Sequence, residues 1–301
     1  MKSTINFMGV RRIVMGFTLV VLVISVLSLV FRGLNYGLDF TGGTLVELSY
    51  QHGVELDTLR GQLAQAGLGD ALVQSFGVST DVVVRMAGDD GKVGQHIAQV
   101  LQAADPSNPV TVKRVDFVGP AVGEELRDQG GLGMLLALGG IMLYMAFRFQ
   151  WKFGCGAVLS LFHDTIIVLG VFSLFGIPFD LTVLAAVLAM IAYSLNDTIV
   201  VFDRVRENFR ILRKVELIEN INISTTQTLL RTLATSISTL LVVGALMLFG
   251  GDSLWGFSLA LFIGIVVGTT SSIYVANVTL IELKLTREDL IPPPVTEDAR
   301  P

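Results

Sequence analysis

Long apolar runs dominate the pattern of hydrophobic and polar positions along this chain. A hydrocarbon core of roughly 30 Å is crossed by about 20 helical residues, and six runs meet or approach that length. His163 and Asp164 interrupt the third run, and Asp197 interrupts the fourth. The pattern therefore predicts transmembrane helices over 13–31, 132–147, 153–175, 181–202, 232–251 and 253–281.

The segment between the first two runs, 32–131, has a different pattern. Alternation of apolar and polar residues predicts strands over 44–50, 71–77, 81–86 and 110–118, and helical spacing predicts helices over 56–66 and 93–103. The order β-α-β-β-α-β is that of the split βαβ, or ferredoxin-like, arrangement. The expected fold is an α-helical polytopic membrane protein with a small α+β ferredoxin-like domain between its first two spans.

The first run could be a cleaved signal peptide or a permanent anchor. Lys2, Arg11 and Arg12 precede it, as basic residues precede a signal. The apolar stretch 13–31 is nevertheless longer than the 7–15 or so residues of a signal peptide, and no small-x-small cleavage site follows it. We expect an uncleaved anchor.

The distribution of Lys and Arg predicts the orientation of the spans. Of the 21 cations, 14 lie in 1–12, 148–152, 203–231 and 282–301, which six spans would place on one side of the membrane. The short turns on the opposite side contain none. The positive-inside rule therefore places both termini and the 203–231 loop in the cytoplasm, and the 32–131 domain on the far side.

Composition excludes several classes of protein. Hydrophobic residues make up 52% of the chain and charged residues 16%, with a mean hydropathy of +0.67. Because average proteins contain roughly 25% charged residues, too few remain to cover a soluble surface. The net charge of -5 gives no support to nucleic-acid binding. The single cysteine, Cys155, can form neither an internal disulfide nor a Cys-based zinc site.

Asp197 is the first candidate for chemistry within the membrane. It lies roughly 9 Å from the centre of its run toward the cytoplasm, at 1.5 Å per residue. A charged carboxylate at that depth costs a few kcal/mol, so such groups usually face a cavity or a partner. Tyr193 and Ser194 lie four and three residues earlier on the same face, within reach of it. The alternative is an Asp that only fixes helix packing.

Arg231 begins a polar stripe of Arg231, Thr235 and Ser238 on one face of the fifth run. Its guanidinium remains charged at every accessible pH, so it could serve as the fixed counter-charge of Asp197. The alternative is an anchor that extends to the membrane interface. The hydroxyls of Thr235 and Ser238 could bond back to their own helix, which weakens their assignment to a water path.

His163 and Asp164 form a second candidate pair, near the middle of the third run. Histidine titrates near neutrality, so the pair could join a proton relay. Adjacent residues point about 100° apart on a helix, however, and we do not expect them to share one contact. Bonding between helices is the alternative. No HExxH motif is present and His52 and His96 lie in the outer segment, so a zinc protease is not indicated and no metal site is expected.

Two further patterns are glycine-rich. Gly264, Gly268, Ser272 and Ala276 recur every four residues in the last run, which is typical of close helix packing. Gly37, Asp39, Phe40, Gly42 and Gly43 follow the first run. No Lys-Ser/Thr completes a phosphate loop there. We expect a tight turn into the first strand, with coupling of domain motion to the helices as the functional alternative.

Several of these segments together resemble the SecD/SecF family. The resemblance rests on Gly-Leu-Asp-Phe-Thr-Gly-Gly at 37–43, Val-Gly-Pro at 118–120, His163-Asp164, the sixteen residues 193–208 around Asp197, Arg231-Thr232 with Thr235-Ser236, and Gly-Thr-Thr-Ser-Ser at 268–272. It covers nearly the whole chain. The length and small outer domain resemble SecF members rather than SecD. The chain contains no second six-helix half, so we expect it to be encoded separately and to need SecD.

The resemblance implies a function. Family members act in the bacterial inner membrane with the SecYEG channel, where SecD and SecF use the proton-motive force to pull a preprotein across after the ATPase SecA has pushed it. Their six-helix unit is related to resistance-nodulation-division (RND) exporters. In this family the position of Asp197 is implicated in proton passage. The proton gradient takes the place of a cofactor, and the domain 32–131 is periplasmic.

Three hypotheses follow. The favoured one is a non-enzymatic subunit of protein export in which Asp197 takes up and releases protons and Arg231 is its charge partner. The second is a small-molecule or lipid exporter subunit of the RND type, although the outer domain leaves little room for the paired subdomains that such exporters use. The third is a translocon scaffold that carries no protons.

Overall fold

A computed structural model describes residues 4–76, 78–86, 93–212, 215–286 and 289 of the chain. A short 3-10 helix at Phe7–Val10 precedes the first α-helix. The α-helices are α1 Arg11–Phe31, α2 Leu38–Thr41, α3 Leu56–Gln65, α4 Val93–Ala104, α5 Pro120–Arg148, α6 Trp151–Phe175, α7 Leu181–Ile211, α8 Leu217–Phe249, α9 Asp252–Ile273 and α10 Val275–Glu282. The strands are β1 Asn35–Tyr36, β2 Gly43–Tyr50, β3 Leu72–Phe76, β4 Val78–Met86, β5 Val110–Val118 and β6 Pro178–Phe179.

The contacts between residues divide the chain into two units. A helical unit comprises the described parts of 1–35, 134–178 and 182–301, and an α+β unit comprises 36–133 together with 179–181. The predicted tail, 282–301, lies outside the described residues beyond 286 except for Asp289.

The α+β unit is built on a four-stranded antiparallel sheet with the order β3-β4-β2-β5. Strand β2 alternates because Val46, Leu48 and Tyr50 point into the core while the residues between them do not. Helices α3 and α4 complete that core, chiefly through Leu59, Leu63, Ile97 and Leu101. The elements follow the predicted β-α-β-β-α-β order, since period-2 and period-3.6 burial leave distinct patterns in the sequence.

In the helical unit, five described helices are long and apolar enough to cross a membrane. They are Phe7–Phe31, Trp151–Phe175, Leu181–Ile211, Leu217–Phe249 and Ser253–Glu282. Helix α6 is among the most buried, and α1 packs against it through Ser28 and Ser173, whose hydroxyl oxygens are 2.8 Å apart. The predicted run 132–147 lies within α5, which begins at Pro120 and therefore includes residues assigned to the outer domain by the sequence pattern.

The segment 203–231, predicted to connect the fourth and fifth spans, is largely helical, because α7 continues to Ile211 and α8 begins at Leu217. An amide cluster of Asn208, Asn220, Ser224 and Gln227 joins these extensions. Asn208 Nδ2 donates to Ser224 Oγ at 2.8 Å and Gln227 Oε1 at 3.0 Å, and Asn220 Nδ2 donates to the Val205 carbonyl at 3.3 Å. These polar residues bond to one another between two helices. Arg213 and Lys214 lie outside the described residues.

The predicted single helix over 253–281 is also interrupted, at Tyr274 between α9 and α10. No proline is involved. Asn277 Nδ2 donates to the carbonyls of Ser272 at 3.2 Å and Ile273 at 2.9 Å. A side-chain amide that bonds to the preceding turn competes with the backbone ladder and bends a helix.

Candidate functional site: buried carboxylates in the helical unit

Asp164 is the centre of a buried polar cluster. Its side chain is 0% exposed. Asp164 Oδ2 accepts hydrogen bonds from Ser194 Oγ at 2.6 Å and from Ser271 Oγ at 2.7 Å, and Ser160 Oγ donates to Ser271 Oγ at 3.0 Å. One carboxylate therefore connects α6, α7 and α9. Sequence reasoning missed Ser160 and Ser271, although the four-residue spacing of Ser160 and Asp164 places both on one helical face.

His163 joins this cluster, and the expectation that it shares no contact with its neighbour is wrong. His163 Nδ1 lies 3.0 Å from Asp164 Oδ1. The 100° rule describes the Cα–Cβ directions, whereas rotation about the side-chain bonds can bring a ring and a carboxylate together. His163 Nε2 is buried and has no hydrogen-bond partner among the described residues.

Asp197 lies one turn beyond Ser194 on α7 and is 3% exposed. Its Oδ2 atom is buried and has no hydrogen-bond partner in the described part of the chain. Ser194 and Tyr193, which the sequence predicted to lie within reach of Asp197, bond to other residues. Ser194 donates to Asp164, and Tyr193 OH donates to Ser236 Oγ at 3.5 Å. A carboxylate without a hydrogen-bond donor in such surroundings is costly to ionise, so Asp197 is chemically distinct from the fully bonded Asp164.

Arg231 lies on the exposed face of α8. Among the described residues, the structure places no ion pair within 4.0 Å between Arg231 and Asp197. Thr235 Oγ1 donates to the carbonyls of Arg231 and Thr232 at 3.1 and 3.0 Å, and Ser238 Oγ donates to that of Thr235 at 3.0 Å. The predicted stripe is thus exposed, and its hydroxyls bond to their own helix, as the sequence analysis allowed.

The buried polar residues of α8 lie on the face adjacent to the predicted stripe of Arg231, Thr235 and Ser238. Thr225, Thr228, Thr232 and Ser236 are each no more than 7% exposed. Ser236 Oγ lies 2.8 Å from Thr269 Oγ1 of α9. Hydroxyl residues occupy both faces of α8 at helical spacing, so the sequence pattern could not distinguish the face that packs inward from the face that does not.

Small residues in α9 allow the close approach of α7. A Cβ atom on Gly268 would lie 2.9 Å from Ser194 Cβ and 3.5 Å from Asp164 Oδ2, so glycine is needed here for the Ser194–Asp164 hydrogen bond to lie beside α9. Gly264 of α9 lies against Met190 of α7 in the same way. Ser272 is buried and bonds to the Thr269 carbonyl at 3.0 Å.

Within the α+β unit, the segment Gly-Leu-Asp-Phe-Thr-Gly-Gly at 37–43, called the signature below, contacts residues 179–181. Gly37 N–H donates to the Phe179 carbonyl at 2.7 Å, and the Phe40 ring stacks on that of Phe179 with centroids 6.0 Å apart. Asp39 Oδ2 accepts a hydrogen bond from the N–H of Leu181 at 3.0 Å. Gly42, at φ +66°, turns the chain into β2. The sequence predicted this turn but not the bond between Asp39 and Leu181.

A half-buried cation accompanies the signature. Arg85 Nη2 donates to the Tyr36 carbonyl at 2.8 Å. Burial lowers the pKa of the Arg85 guanidinium, and the negative charges of Asp39 and Asp180 oppose that shift. Among the residues that the structure describes, no group of three or more His, Cys, Asp or Glu side chains is placed to hold a metal ion.

The helices and the buried carboxylates define a polytopic membrane protein with polar chemistry inside its bundle, and comparison with known proteins gives the family. The family model of the protein export membrane protein SecD/SecF, C-terminal, matches residues 96–286, and that of the SecD/SecF GG motif matches 27–54. The chain belongs to the SecD/SecF family.

Its similar relatives are SecF proteins. The protein translocase subunit SecF of Pseudomonas aeruginosa is 64% identical over 301 residues, which cover 99% of this chain and 98% of the relative. That of Escherichia coli O157:H7 is 45% identical over 280 residues, 92% and 87% of the two chains. The resemblance noted in the sequence is thereby confirmed, including its SecF character.

Two solved structures are similar to this fold. The crystal structure of SecDF from Thermus thermophilus, described as a translocon-associated membrane protein, matches with a TM-score of 0.85 at 40% identity over 94% of this chain. A structure of SecDF in a super-membrane-facing form matches the same share with a TM-score of 0.69 at 39% identity. The chain spans 39% of the length of each SecDF chain.

Proposed function

We propose that this chain works with SecD as the SecF-type subunit of the Sec machinery and uses the proton-motive force to drive late steps of preprotein translocation. Its place in protein export follows from its family and from SecF relatives that match it over nearly their whole length. The observation that supports proton coupling is Asp197, a buried carboxylate in a membrane-spanning helix with an unpartnered oxygen.

The proposal includes a topology. Helix α5 adds a sixth span over 132–147, both termini face the cytoplasm, and the α+β unit is a ferredoxin-like domain in the periplasm of a bacterial inner membrane. The sheet order β3-β4-β2-β5, with every pair antiparallel, supports the ferredoxin-like assignment. The excess of Lys and Arg in the segments assigned to the cytoplasm supports the orientation.

Proton coupling uses the difference between the two forms of Asp197. The ionised carboxylate attracts the nearby Arg231 guanidinium, which cannot lose its own charge. When Asp197 binds a proton from the periplasmic side this attraction disappears, and it returns when the proton leaves to the cytoplasm. One charge that crosses the membrane supplies about 2.3 kcal/mol per 100 mV, enough to shift a two-state helix arrangement.

Asp164 serves a different role in this scheme. Its carboxylate already accepts hydrogen bonds from Ser194 and Ser271 and contacts His163. A carboxylate stabilised in this way is held in one geometry, which favours the bonding of helices over a relay. We assign Asp164 the role of a fixed link between α6, α7 and α9. We assign Asp197 the role of the carboxyl group that binds and releases the proton.

The partners belong to the proposal as well. SecD supplies the matching half, because the SecDF chain is a single protein of which this chain spans 39%. The SecYEG channel and the translocating preprotein are the other partners. A small-molecule or lipid exporter is less favoured, since the α+β unit contains one β-α-β-β-α-β sheet rather than paired subdomains. A scaffold without proton flow gives no role to the unpartnered oxygen of Asp197.

Substitution of Asp197 tests the proposal. In cells or vesicles that depend on this chain, Asp197→Asn should abolish the part of preprotein export that responds to the proton gradient, because the amide cannot bind and release a proton. The matched control is Asp203→Asn, on the same helix, where the carboxylate is 41% exposed and pairs with Arg148 at 2.9 Å. Gradient-dependent export at the wild-type rate in Asp197→Asn, with equal membrane abundance, would leave the scaffold hypothesis.

A further inference from the structure

Threonine hydroxyls in the membrane helices divide into two groups. A threonine in a helix usually bonds back to a carbonyl three or four residues earlier. Such bonds are made by Thr165, Thr226, Thr228, Thr235, Thr239, Thr270 and Thr279. Thr198, Thr225 and Thr232 are buried, and their hydroxyl oxygens have no hydrogen-bond partner among the described residues. These three hydroxyls are therefore available to another group.

The contacts of α7 with α8 place these hydroxyls relative to Asp197. The two helices run antiparallel, and Tyr193 meets Ser236. Four residues further along α7 is Asp197, and four residues back along α8 is Thr232, so one helical turn brings both to the same level. Thr198 follows Asp197 directly. Asp197 Oδ2 and the hydroxyl of Thr232 are thus two unpartnered buried oxygens at one depth, whereas Thr198 lies four residues after Ser194, on the face that Ser194 turns toward Asp164.

Thr225 extends this group toward the amide cluster. Asn208 of α7 donates to Ser224 of α8, the neighbour of Thr225. From Thr232 to Thr225 the axis of α8 advances roughly 10 Å, at 1.5 Å per residue. The buried face between them also contains Thr228. A continuous polar face therefore leads from the level of Asp197 to the amide cluster at the end of the helices.

We propose that Thr232 and Thr225 hold the water molecules through which Asp197 releases its proton toward the amide cluster and the cytoplasm. This inference rests on the proposed function, which supplies the moving proton and the orientation. Buried water requires about two to four polar partners, and Asp197 Oδ2 with the Thr232 hydroxyl supplies two. The inference moves the route from the predicted face of Thr235 and Ser238 to the buried face of Thr232.

The chemical step balances without a further reactant. The O–H bond of the protonated Asp197 carboxyl breaks, and its proton joins the oxygen of the adjacent water. That water passes one of its own protons to the next, so one proton moves and no water is consumed. The threonines orient the waters and keep their own protons, which makes them positioning residues.

The experiment compares Thr232→Val, which removes the hydroxyl and keeps the branched shape, with Thr232→Ser, which restores the hydroxyl. Both are reconstituted as full chains with SecD. We expect Thr232→Val to slow gradient-driven proton uptake roughly five- to tenfold, the effect of one hydrogen bond lost at that step, and Thr232→Ser to restore it. Thr239→Val is the matched control, since this hydroxyl on the same helix bonds to the carbonyl of Thr235 at 2.9 Å, and it should behave as wild type.

A spectroscopic measurement separates this role from a structural one. The infrared carbonyl band of protonated Asp197, identified by its loss in Asp197→Asn, should move to higher frequency in Thr232→Val because the carboxyl loses a water-mediated hydrogen bond. Thr225→Val, two turns away, should slow proton uptake without that shift. An unchanged rate and band in both valine variants, while Asp197→Asn abolishes uptake, would overturn the route alone. Uptake that survives in Asp197→Asn would overturn the proposed function.

Discussion

At the scale of single residues, partners rather than depth distinguish the acidic side chains. Asp164 and Asp197 are both nearly inaccessible, yet the first contacts three side chains and the second has an unpartnered oxygen. Hydrogen bonds hold the Asp164 carboxylate in one geometry, whereas Asp197 Oδ2 accepts none among the described residues. Hydrogen bonding therefore explains how two carboxylates in one bundle can serve different roles.

Asp81, in the α+β unit, allows the contribution of an ionised side chain to stability to be tested outside the membrane helices. Hydrogen bonds from Lys113 Nζ, at 2.7 Å, and from Ser49 Oγ, at 2.6 Å, lower the pKa of Asp81 below its usual 3.8. Because the pKa is lower in the folded state, ionised Asp81 stabilises the fold above the usual pKa. That contribution is lost as the pH falls through the folded-state pKa.

We therefore expect Asp81→Asn to reduce the protection of β4 amides against hydrogen exchange at neutral pH, and the difference from wild type to vanish as the pH falls through the lowered pKa of Asp81. Mass spectrometry of the full chain, corrected for the intrinsic rate of exchange, measures this. Asp57→Asn is the control, since that carboxylate is 91% exposed and should change little. A difference that persists unchanged in acid would refute the ionic contribution.

At the scale of elements, close helix packing brings the polar groups together. The bond from Ser194 to Asp164 lies against Gly268, where a side chain would collide with Ser194. In the α+β unit, Asp39 of the signature 37–43 accepts a hydrogen bond from the N–H of Leu181, which is distant in the sequence. Both features depend on distances between elements that the sequence of one element does not contain.

Gly268→Ala tests the packing of α9 on α7. The added Cβ would lie 2.9 Å from Ser194 Cβ, so the helices must separate, and overpacking of this kind typically costs about 1–3 kcal/mol. We expect a lower melting temperature for the purified chain and weaker proton-dependent export. Gly244→Ala is the matched control, because nothing lies within 4 Å of its added Cβ. Equal melting temperatures for both variants would contradict the close contact.

At the scale of the whole molecule, the long helices and the α+β unit divide the chain between two environments. Five described helices meet the length and apolarity of a membrane span. The unit of 36–133 and 179–181 has a core of its own, built from one sheet and two helices. The proposed orientation places that unit and the amide cluster on opposite sides of the membrane, a statement that labelling can test directly.

In a chain with Cys155→Ser, we expect Ala103→Cys in α4 to react with a membrane-impermeant maleimide added from the periplasmic side. Glu216→Cys, between α7 and α8, should react only after the membrane is opened, because the positive-inside rule places it in the cytoplasm. Both native side chains are exposed, so each cysteine is accessible on its own side. Labelling of both positions from outside would reject the topology.

Much of the architecture follows from the residue pattern alone. Apolar runs located the spans, and the two periodicities gave the β-α-β-β-α-β order and most element bounds, because burial of apolar side chains acts residue by residue along each element. Asp197, His163 and Asp164 were identified in the same way, since a polar group in an apolar run is conspicuous. Membership of the SecD/SecF family was evident from motifs that are local in the chain.

The folded structure settled which side of each helix faces inward and which groups meet. Helix α8 has hydroxyl residues on adjacent faces, and its rotation about its own axis depends on contacts with α7 and α9. Packing therefore buried Thr232 rather than Thr235. The bonds of Asp164 to Ser194 and Ser271 join residues that are 30 and 107 positions apart. No local pattern encodes such distances, because they result from the simultaneous packing of several helices.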